Sequence, residues 1–488
     1  MENENRNNAY AHILKYTSIF GGVQALSILV ALVRNKFAAL LLGPMGVGLM
    51  SLFNSTIRFI GDSTNLGLGT SAVKNISESH SRDDGQAIDK TVQTVRAWSL
   101  LTALAGMLVC ALLSPLLSRY TFGWGNHTFH FLLLSPIVAM TTIMGGELAI
   151  LKGTRHLSGL ARISIINVVM ALVISTPLFL IWHSKAIVPS MIAVALSQLI
   201  VTISYSYHFH PLRLKINRDT LREGKTMVQL GVGFFLAGIF GSCADFIIRS
   251  FVNNTGSPDT LGLFNAGYMI TMTYGGMVFS AMETDYFPRL SAISGTGPTL
   301  NNTVNKQIEV SLLIISPMLV GLIIGLPIIL PLLYSHSFLP VTSMAQLTAL
   351  AMFLRAVKLP VAYLPLSRGD SRSYLLMEGI YAVVYVVLSV ICFQAFGLIG
   401  MGIAIVLVAS FDFIMLNVYM GHRYSYRLSG PAIKLMFQQF PIGIAAYALT
   451  LKGHGTTYWL IGVILTVLSS AISYVALRKR MRLQSKSN

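Results

Sequence analysis

Ten charged residues fall inside long apolar runs: Arg34, Arg58, Asp62, Glu147, Asp245, Arg249, Arg355, Lys358, Glu378 and Asp412. A charge at mid-bilayer costs about 2.5–3.5 kcal/mol on insertion scales, so keeping half of these at depth costs on the order of 10 kcal/mol. Membrane helices that retain such residues need a polar cavity to receive them. A guanidinium stays charged and matches phosphate oxygens by paired hydrogen bonds. Arg34 and Arg249 are therefore expected to share an anion site suited to a lipid pyrophosphate. Arg58, Arg355 and Lys358 are further candidates for substrate binding. Arg355 and Lys358 lie one helical turn apart, so they repel unless Glu378 or a substrate phosphate sits nearby. Glu147, Asp245, Glu378 and Asp412 are candidates for ion coupling, because a desolvated carboxylate takes up a proton near neutral pH.

Each of these has a plainer alternative. Arg58 with Asp62, and Asp245 with Arg249, are four residues apart and can pair along one helix. Arg34 can snorkel toward outer headgroups. Glu147 and Asp412 have no partner nearby in sequence and can hydrogen-bond a neighbouring helix.

Spans of about 20 mostly apolar residues must carry these groups. Fourteen are expected, near 13–42, 46–68, 94–117, 129–151, 161–182, 186–207, 227–251, 260–282, 309–333, 341–366, 373–395, 398–420, 431–451 and 457–477. Nothing between them is large enough for a soluble domain. With a cytoplasmic N-terminus, about 26 of the 35 Lys and Arg fall on inner segments, from Arg6 and Lys15 through Arg82 and Lys215 to the tail Arg478–Lys486. The outer segments keep about four, Lys36, Arg119, Lys185 and Lys452. The asymmetry places both termini in the cytoplasm.

An internal repeat divides the chain. Arg34 and Arg249, Gly48-Leu49 and Gly262-Leu263, Thr70 and Thr284, and Lys152-Gly153 and Arg368-Gly369 recur in order at offsets of 214 to 216 residues. Six spans per repeat make the halves parallel, related by an axis along the membrane normal, as in transporters. The expected organisation is an N-terminal lobe over 1–208, a cytoplasmic connector over 209–226, a C-terminal lobe over 227–422, and two extra spans with a basic tail over 423–488. The expected fold class is all-α and polytopic, with two six-helix lobes plus two C-terminal helices around a polar, cationic cleft.

Composition agrees and excludes other classes. Of 488 residues, 54% are hydrophobic and 11% charged, against roughly 25% charged in a soluble domain. Mean hydropathy is +0.66. The net charge of +17 lies in short loops and follows the positive-inside pattern rather than a nucleic-acid footprint. Cys110, Cys243 and Cys392 sit in apolar stretches with no disulfide or metal spacing. His208 with His210, and His127 with His130, lack further ligands for a metal. Gly67-Leu68-Gly69 and Gly400-Met401-Gly402 lack the strand–turn–helix setting of a nucleotide fingerprint and read as close helix packing. No cofactor is expected.

The stretch Val33-Arg34-Asn35-Lys36 through Leu42-Gly43-Pro44-Met45-Gly46-Val47-Gly48-Leu49 resembles the span 1–2 signature of bacterial O-antigen translocases. These are flippases for undecaprenyl-pyrophosphate-linked oligosaccharide within the multidrug/oligosaccharidyl-lipid/polysaccharide (MOP) exporter superfamily. Gly67 to Ser79, Leu151-Lys152-Gly153-Thr154-Arg155, Tyr286-Phe287-Pro288-Arg289-Leu290-Ser291, and Leu354 to Tyr363 with Leu376-Met377-Glu378 are similar to further stretches of that family. The resemblance runs over most of residues 10–425. Lys358 and Glu378 fall where related flippases carry like residues. Arg34, nine residues before Gly43, is similar to a cavity arginine of lipid II flippases, which carry more arginines in spans 1 and 2 than this chain does.

The resemblance implies a transporter rather than an enzyme, in the bacterial inner membrane, opening alternately to either side. Its implied partners are a lipid-linked oligosaccharide, membrane lipid and polysaccharide polymerase machinery, and no nucleic acid. A cation-coupled multidrug exporter is the competing reading within the superfamily. Those relatives rely on a carboxylate in the first span, and this chain has none between Lys15 and Leu42. A polytopic O-antigen polymerase or ligase would be expected to carry a sizeable outer loop, which this chain lacks.

Overall fold

The computed structural model describes residues 2–81, 85–123, 125–213, 217–293, 295, 297–453 and 455–484. Arg82, Lys215 and Lys486 lie outside the described residues, as do the side chains of Arg6, Lys15, Thr284, Arg480 and Arg482. The described chain is helical throughout: α1 (Glu2–Thr64), α2 (Leu68–Ser81), α3 (Gly85–Thr121), α4 (Thr128–Gly153), α5 (Leu157–Trp182), α6 (Ile187–Phe209) and α7 (Arg218–Thr255), then α8 (Pro258–Tyr268), α9 (Gly276–Ser291), α10 (Pro298–Leu333), α11 (Thr342–Ser367), α12 (Ser371–Tyr424), α13 (Gly430–Thr450) and α14 (Thr456–Gln484). No strand occurs among the described residues.

Ten stretches among the described residues are long and apolar enough to cross a membrane. Leu26–Thr64, Ser158–Phe209 and Ser371–Tyr424 run 39, 52 and 54 residues. At about 1.5 Å per residue, each is long enough to cross a ~30 Å hydrocarbon core twice. Counting each of these twice and the α8–α9 pair once gives fourteen crossings, an all-α polytopic membrane protein.

Two glycines set the reversals inside the longest helices. Gly43 in α1 has φ 64°, ψ −172°, and Gly397 in α12 has φ 59°, ψ −138°. A Cβ at either would meet nothing within 4 Å. Backbone conformation, not space, therefore requires glycine there. The helix pair over 260–282 departs from the expected single run. A π-helical stretch, Met269–Tyr274, separates α8 from α9. α2 is a short helix rather than a span. It buries Ala72 and Ile76 against Val92, Val95, Ala149, Ile150 and Met227.

The glycine motifs resolve differently. A Cβ at Gly402 would come within 2.9 Å of both Leu347 Cβ and the Met344 carbonyl oxygen, so α12 lies tightly on α11. Gly67 instead makes a turn at φ 70°, and Gly69 has open space around it.

The chain forms two compact units, Met1–Phe246 and Ile247–Asn488. The division falls inside α7. The first part of α7 is tied to the N-terminal unit: Lys90 pairs with Glu223, Trp98 Nε1 donates to the Thr220 carbonyl at 3.2 Å, and Phe246 stacks on Phe59 at 5.3 Å. In the C-terminal unit, α10 and α11 form the core, flanked by α13 and α14. Asn305 receives the Ser429 N–H at 2.8 Å and donates to the Arg427 carbonyl at 2.9 Å, which fastens the α12–α13 connection to α10.

Candidate functional site

The C-terminal unit holds a cavity of about 260 Å³ lined by charged and aromatic side chains. Helical spacing explains the set. Arg355, Lys358, Leu359 and Ala362 occupy one stripe of α11. Tyr374, Glu378, Tyr381 and Tyr385 recur at helical spacing on the first half of α12. Ile405, Val408, Ala409, Asp412 and Leu416 do the same on its second half. The Gly397 reversal makes the two halves of α12 antiparallel, so Glu378 and Asp412, 19 and 15 residues from it, lie at similar depth.

Lys358 Nζ pairs with Asp412 Oδ2 and lies 4.6 Å from the centre of the Tyr381 ring. The Asp412 carboxylate, without a sequence-local partner, is thus satisfied by a lysine 54 residues earlier. Arg355 reaches only the Met272 thioether, at 3.9 Å. Glu378 lines the same cavity and takes part in no hydrogen bond or ion pair with another described residue. Four of the sequence-predicted site residues, Arg355, Lys358, Glu378 and Asp412, therefore line one cavity. Tyr268, Tyr374, Tyr381 and Tyr385 complete it. Sequence reasoning did not single these four out. The spacing of the last three around Glu378 was the available signal.

Arg249 is buried in the wall behind this cavity. Its guanidinium lies 5.6 Å from the Tyr268 ring and 5.8 Å from the Phe264 ring. Its Nη2 donates to Asn265 Oδ1 at 3.5 Å. Tyr268 is the wall residue common to both.

The N-terminal unit holds a second cavity, about 310 Å³, lined by Asn54, Arg58, Asp62, Asn65, Ser99, Thr102, Thr141, Thr142 and several glycines. Arg58, 73% exposed, pairs with Asp62 at 4.0 Å, as their spacing predicts. Arg34 lines neither cavity. It is partly buried on α1, and its Nε has no hydrogen-bond partner. Asp245 is half-buried on α7.

Glu147 is in a different setting. Its carboxylate takes paired hydrogen bonds from Arg96, at 2.9 and 3.2 Å, and another from Ser206 Oγ at 2.5 Å. Arg96 also donates to the carbonyls of Pro211 and His210, at 2.9 and 2.8 Å, and lies 4.5 Å from the Tyr207 ring centre. The group joins α3, α4 and α6 to the start of the connector. Arg96 sits at the very edge of an apolar run, so sequence reasoning does not single it out as a buried charge.

No metal-ligating cluster occurs among the described residues, and the three cysteines are free thiols.

The helix order and the apolar spans define an all-α, multi-pass membrane protein. The lipid II flippase MurJ, in an inward closed conformation, is similar at TM-score 0.74 and 13% identity, over 95% of this chain and 99% of that one. An inward-facing multidrug resistance MATE family transporter is similar at TM-score 0.65 and 17% identity, over 82% and 94%. A MOP superfamily transporter from Pyrococcus furiosus, described as having a binding pocket of reverse polarity, is similar at TM-score 0.60 and 16% identity, over 84% and 96%. No curated protein matches the chain. Residues 37–343 match the family model for polysaccharide biosynthesis proteins, and the chain belongs to that family.

Proposed function

We propose that the protein is a flippase that carries undecaprenyl-pyrophosphate-linked oligosaccharide, an O-antigen repeat unit, from the cytoplasmic to the periplasmic leaflet by alternating access. The observation that carries this reading is the charged, tyrosine-lined cavity of the C-terminal unit. A sugar headgroup cannot cross hydrocarbon with its hydroxyls unsatisfied. Tyrosine faces and hydroxyls suit sugars, and Arg355 and Lys358 suit phosphate. Membership of the polysaccharide biosynthesis family and the flippase-like fold support the same reading. Arg34 fits it as a second anion contact, with one guanidinium nitrogen still unpartnered.

Among the four carboxylates named for coupling, we assign the role to Glu378. It lines the cavity and makes no hydrogen bond or ion pair with another described residue, so a proton or cation can reach it without breaking an existing pair. Glu147 and Asp412 are engaged by Arg96 and Lys358.

One observation favours the multidrug reading: the MATE-like fold together with a cavity carboxylate. The first span nevertheless offers Arg34 and no carboxylate, which suits an anionic substrate. The outer connections are short, as at 122–127 and 183–186, which disfavours a polymerase or ligase.

Complementation of a strain lacking its own O-antigen flippase tests the proposal. The chain is expected to restore surface polysaccharide and clear the accumulated lipid-linked repeat. Arg34→Ala and Arg355→Ala are expected to insert normally and lower export at least about tenfold, the weight of one lost charge-assisted contact. Drug resistance without polysaccharide export, across strains of differing repeat, favours the exporter reading instead.

A further inference from the structure

The cavity of the N-terminal unit differs in chemistry from its counterpart. Its wall carries hydroxyls rather than aromatic rings, and the three threonine hydroxyls are already committed as donors. Thr102 Oγ1 donates to the Trp98 carbonyl at 2.8 Å. Thr141 Oγ1 donates to the Ile137 carbonyl at 2.9 Å. Thr142 Oγ1 donates to the Val138 carbonyl at 2.8 Å. A hydroxyl has one hydrogen and two lone pairs, so each threonine presents only acceptor capacity to the cavity. Asn65 is oriented oppositely: its Oδ1 takes the Gly67 N–H at 2.8 Å, leaving the amide N–H groups to donate. The charges at this cavity, Arg58 and Asp62, face each other.

Three lining glycines create the space. Gly61, Gly69 and Gly145 would each carry a Cβ with nothing within 4 Å. The cavity's volume of about 310 Å³ falls at the lower end of the usual range for small-molecule sites. An ionised phosphate or carboxylate brings only acceptors and finds no hydroxyl donor at these threonines, and the cation of the wall, Arg58, is paired with Asp62. A ligand that donates from several points on a compact, neutral body is matched.

We infer that this cavity is a subsite for one neutral sugar residue, whose hydroxyl or acetamido N–H groups donate to Thr102, Thr141 and Thr142 while Asn65 donates in return. The inference rests on the flippase reading and adds that the sugar is read in the N-terminal unit, apart from phosphate recognition. It makes Thr102, Thr141 and Thr142 specificity-determining residues.

The test uses the full chain in nanodiscs and citronellyl pyrophosphate, bare or bearing glucose, galactose or N-acetylglucosamine. Wild-type protein is expected to bind the best sugar-bearing probe about tenfold or more tighter than the bare one, the sum of two or three hydrogen bonds. T102V/T141V keeps side-chain shape and removes two acceptors. It is expected to cut that gain to threefold or less while leaving affinity for the bare probe unchanged. Gly145→Leu, which fills open space, is expected to do the same. Deoxyfluoro sugars, each lacking the donor at its substituted position, are expected to lose part or all of the gain on wild-type protein. A sugar gain that survives both variants, the absence of any gain on wild type, or an equal loss for bare and sugar-bearing probes overturns the subsite. If wild-type protein binds neither kind of probe, the flippase reading falls with it.

Discussion

The side chains that most resist a purely structural account are Arg355 and Glu378. Each is ionisable, each faces one cavity, and neither is neutralised by an ion pair with another described residue. Lys358 and Asp412 beside them form a closed pair, and the two situations predict different mutant behaviour. Lys358→Met strands a buried carboxylate, at a cost of about 3–5 kcal/mol. The variant is expected to melt well below wild type in detergent. K358M/D412L removes both charges and is expected to recover most of that stability, while polysaccharide export stays lost if the pair serves transport. Glu378→Gln removes no pair and is expected to leave melting within a degree or two of wild type while reducing export. The Arg96–Glu147 group follows the rule of Lys358. Arg96→Met is expected to destabilise the N-terminal unit by a similar 3–5 kcal/mol, read by thermal unfolding.

Helices place these residues, and glycine turns decide where the helices reverse. Gly43 and Gly397 hold backbone conformations that cost an L-residue about 1–3 kcal/mol. Gly43→Ala and Gly397→Ala are each expected to lower the melting temperature measurably. Gly69→Ala, in open space with ordinary helical backbone, is expected to be neutral. The C-terminal ends of α2, α4 and α6 carry a histidine group. Burial, helped by His156, Arg96 and His80, holds the His210 imidazole below its usual range, with Asp89 acting the other way. Burial, helped by His80, does the same for His156. A base whose folded value is depressed stays neutral in the native state while the unfolded chain takes up protons. Its contribution is complete above the unfolded value of about 6.5 and is lost as pH falls from there toward the folded value. Melting temperature is therefore expected to drop between pH 7.5 and pH 5.5, and H156Q/H210Q is expected to flatten that dependence.

At the scale of the whole molecule, each compact unit carries its own polar cavity with its own chemistry. The N-terminal one offers hydroxyl acceptors and an internally balanced ion pair. The C-terminal one offers tyrosines, and a guanidinium and a carboxylate that form no ion pair with another described residue. The charge asymmetry of the loops makes a topological prediction. Cysteines placed at Lys452 and at Arg423, in a chain freed of its native thiols, are expected to label from opposite sides of the membrane. Labelling of the Lys452 site from the cytoplasmic side and the Arg423 site from the other would overturn the positive-inside assignment.

The apolar runs marked most of the long helices, because a membrane span must satisfy its backbone internally and announces itself by length and hydropathy, but not the short α2 or the break between α8 and α9. The i,i+4 pair Arg58–Asp62 was equally legible, since helix geometry alone makes those residues neighbours. Lys358 with Asp412, and Arg96 with Glu147, are 54 and 51 residues apart. Only the packing of separate helices joins them, and no local pattern encodes it. The hydroxyl-lined cavity was invisible for a related reason. Threonine and glycine are ordinary in membrane helices, and they line a cavity only where four helices leave space between them.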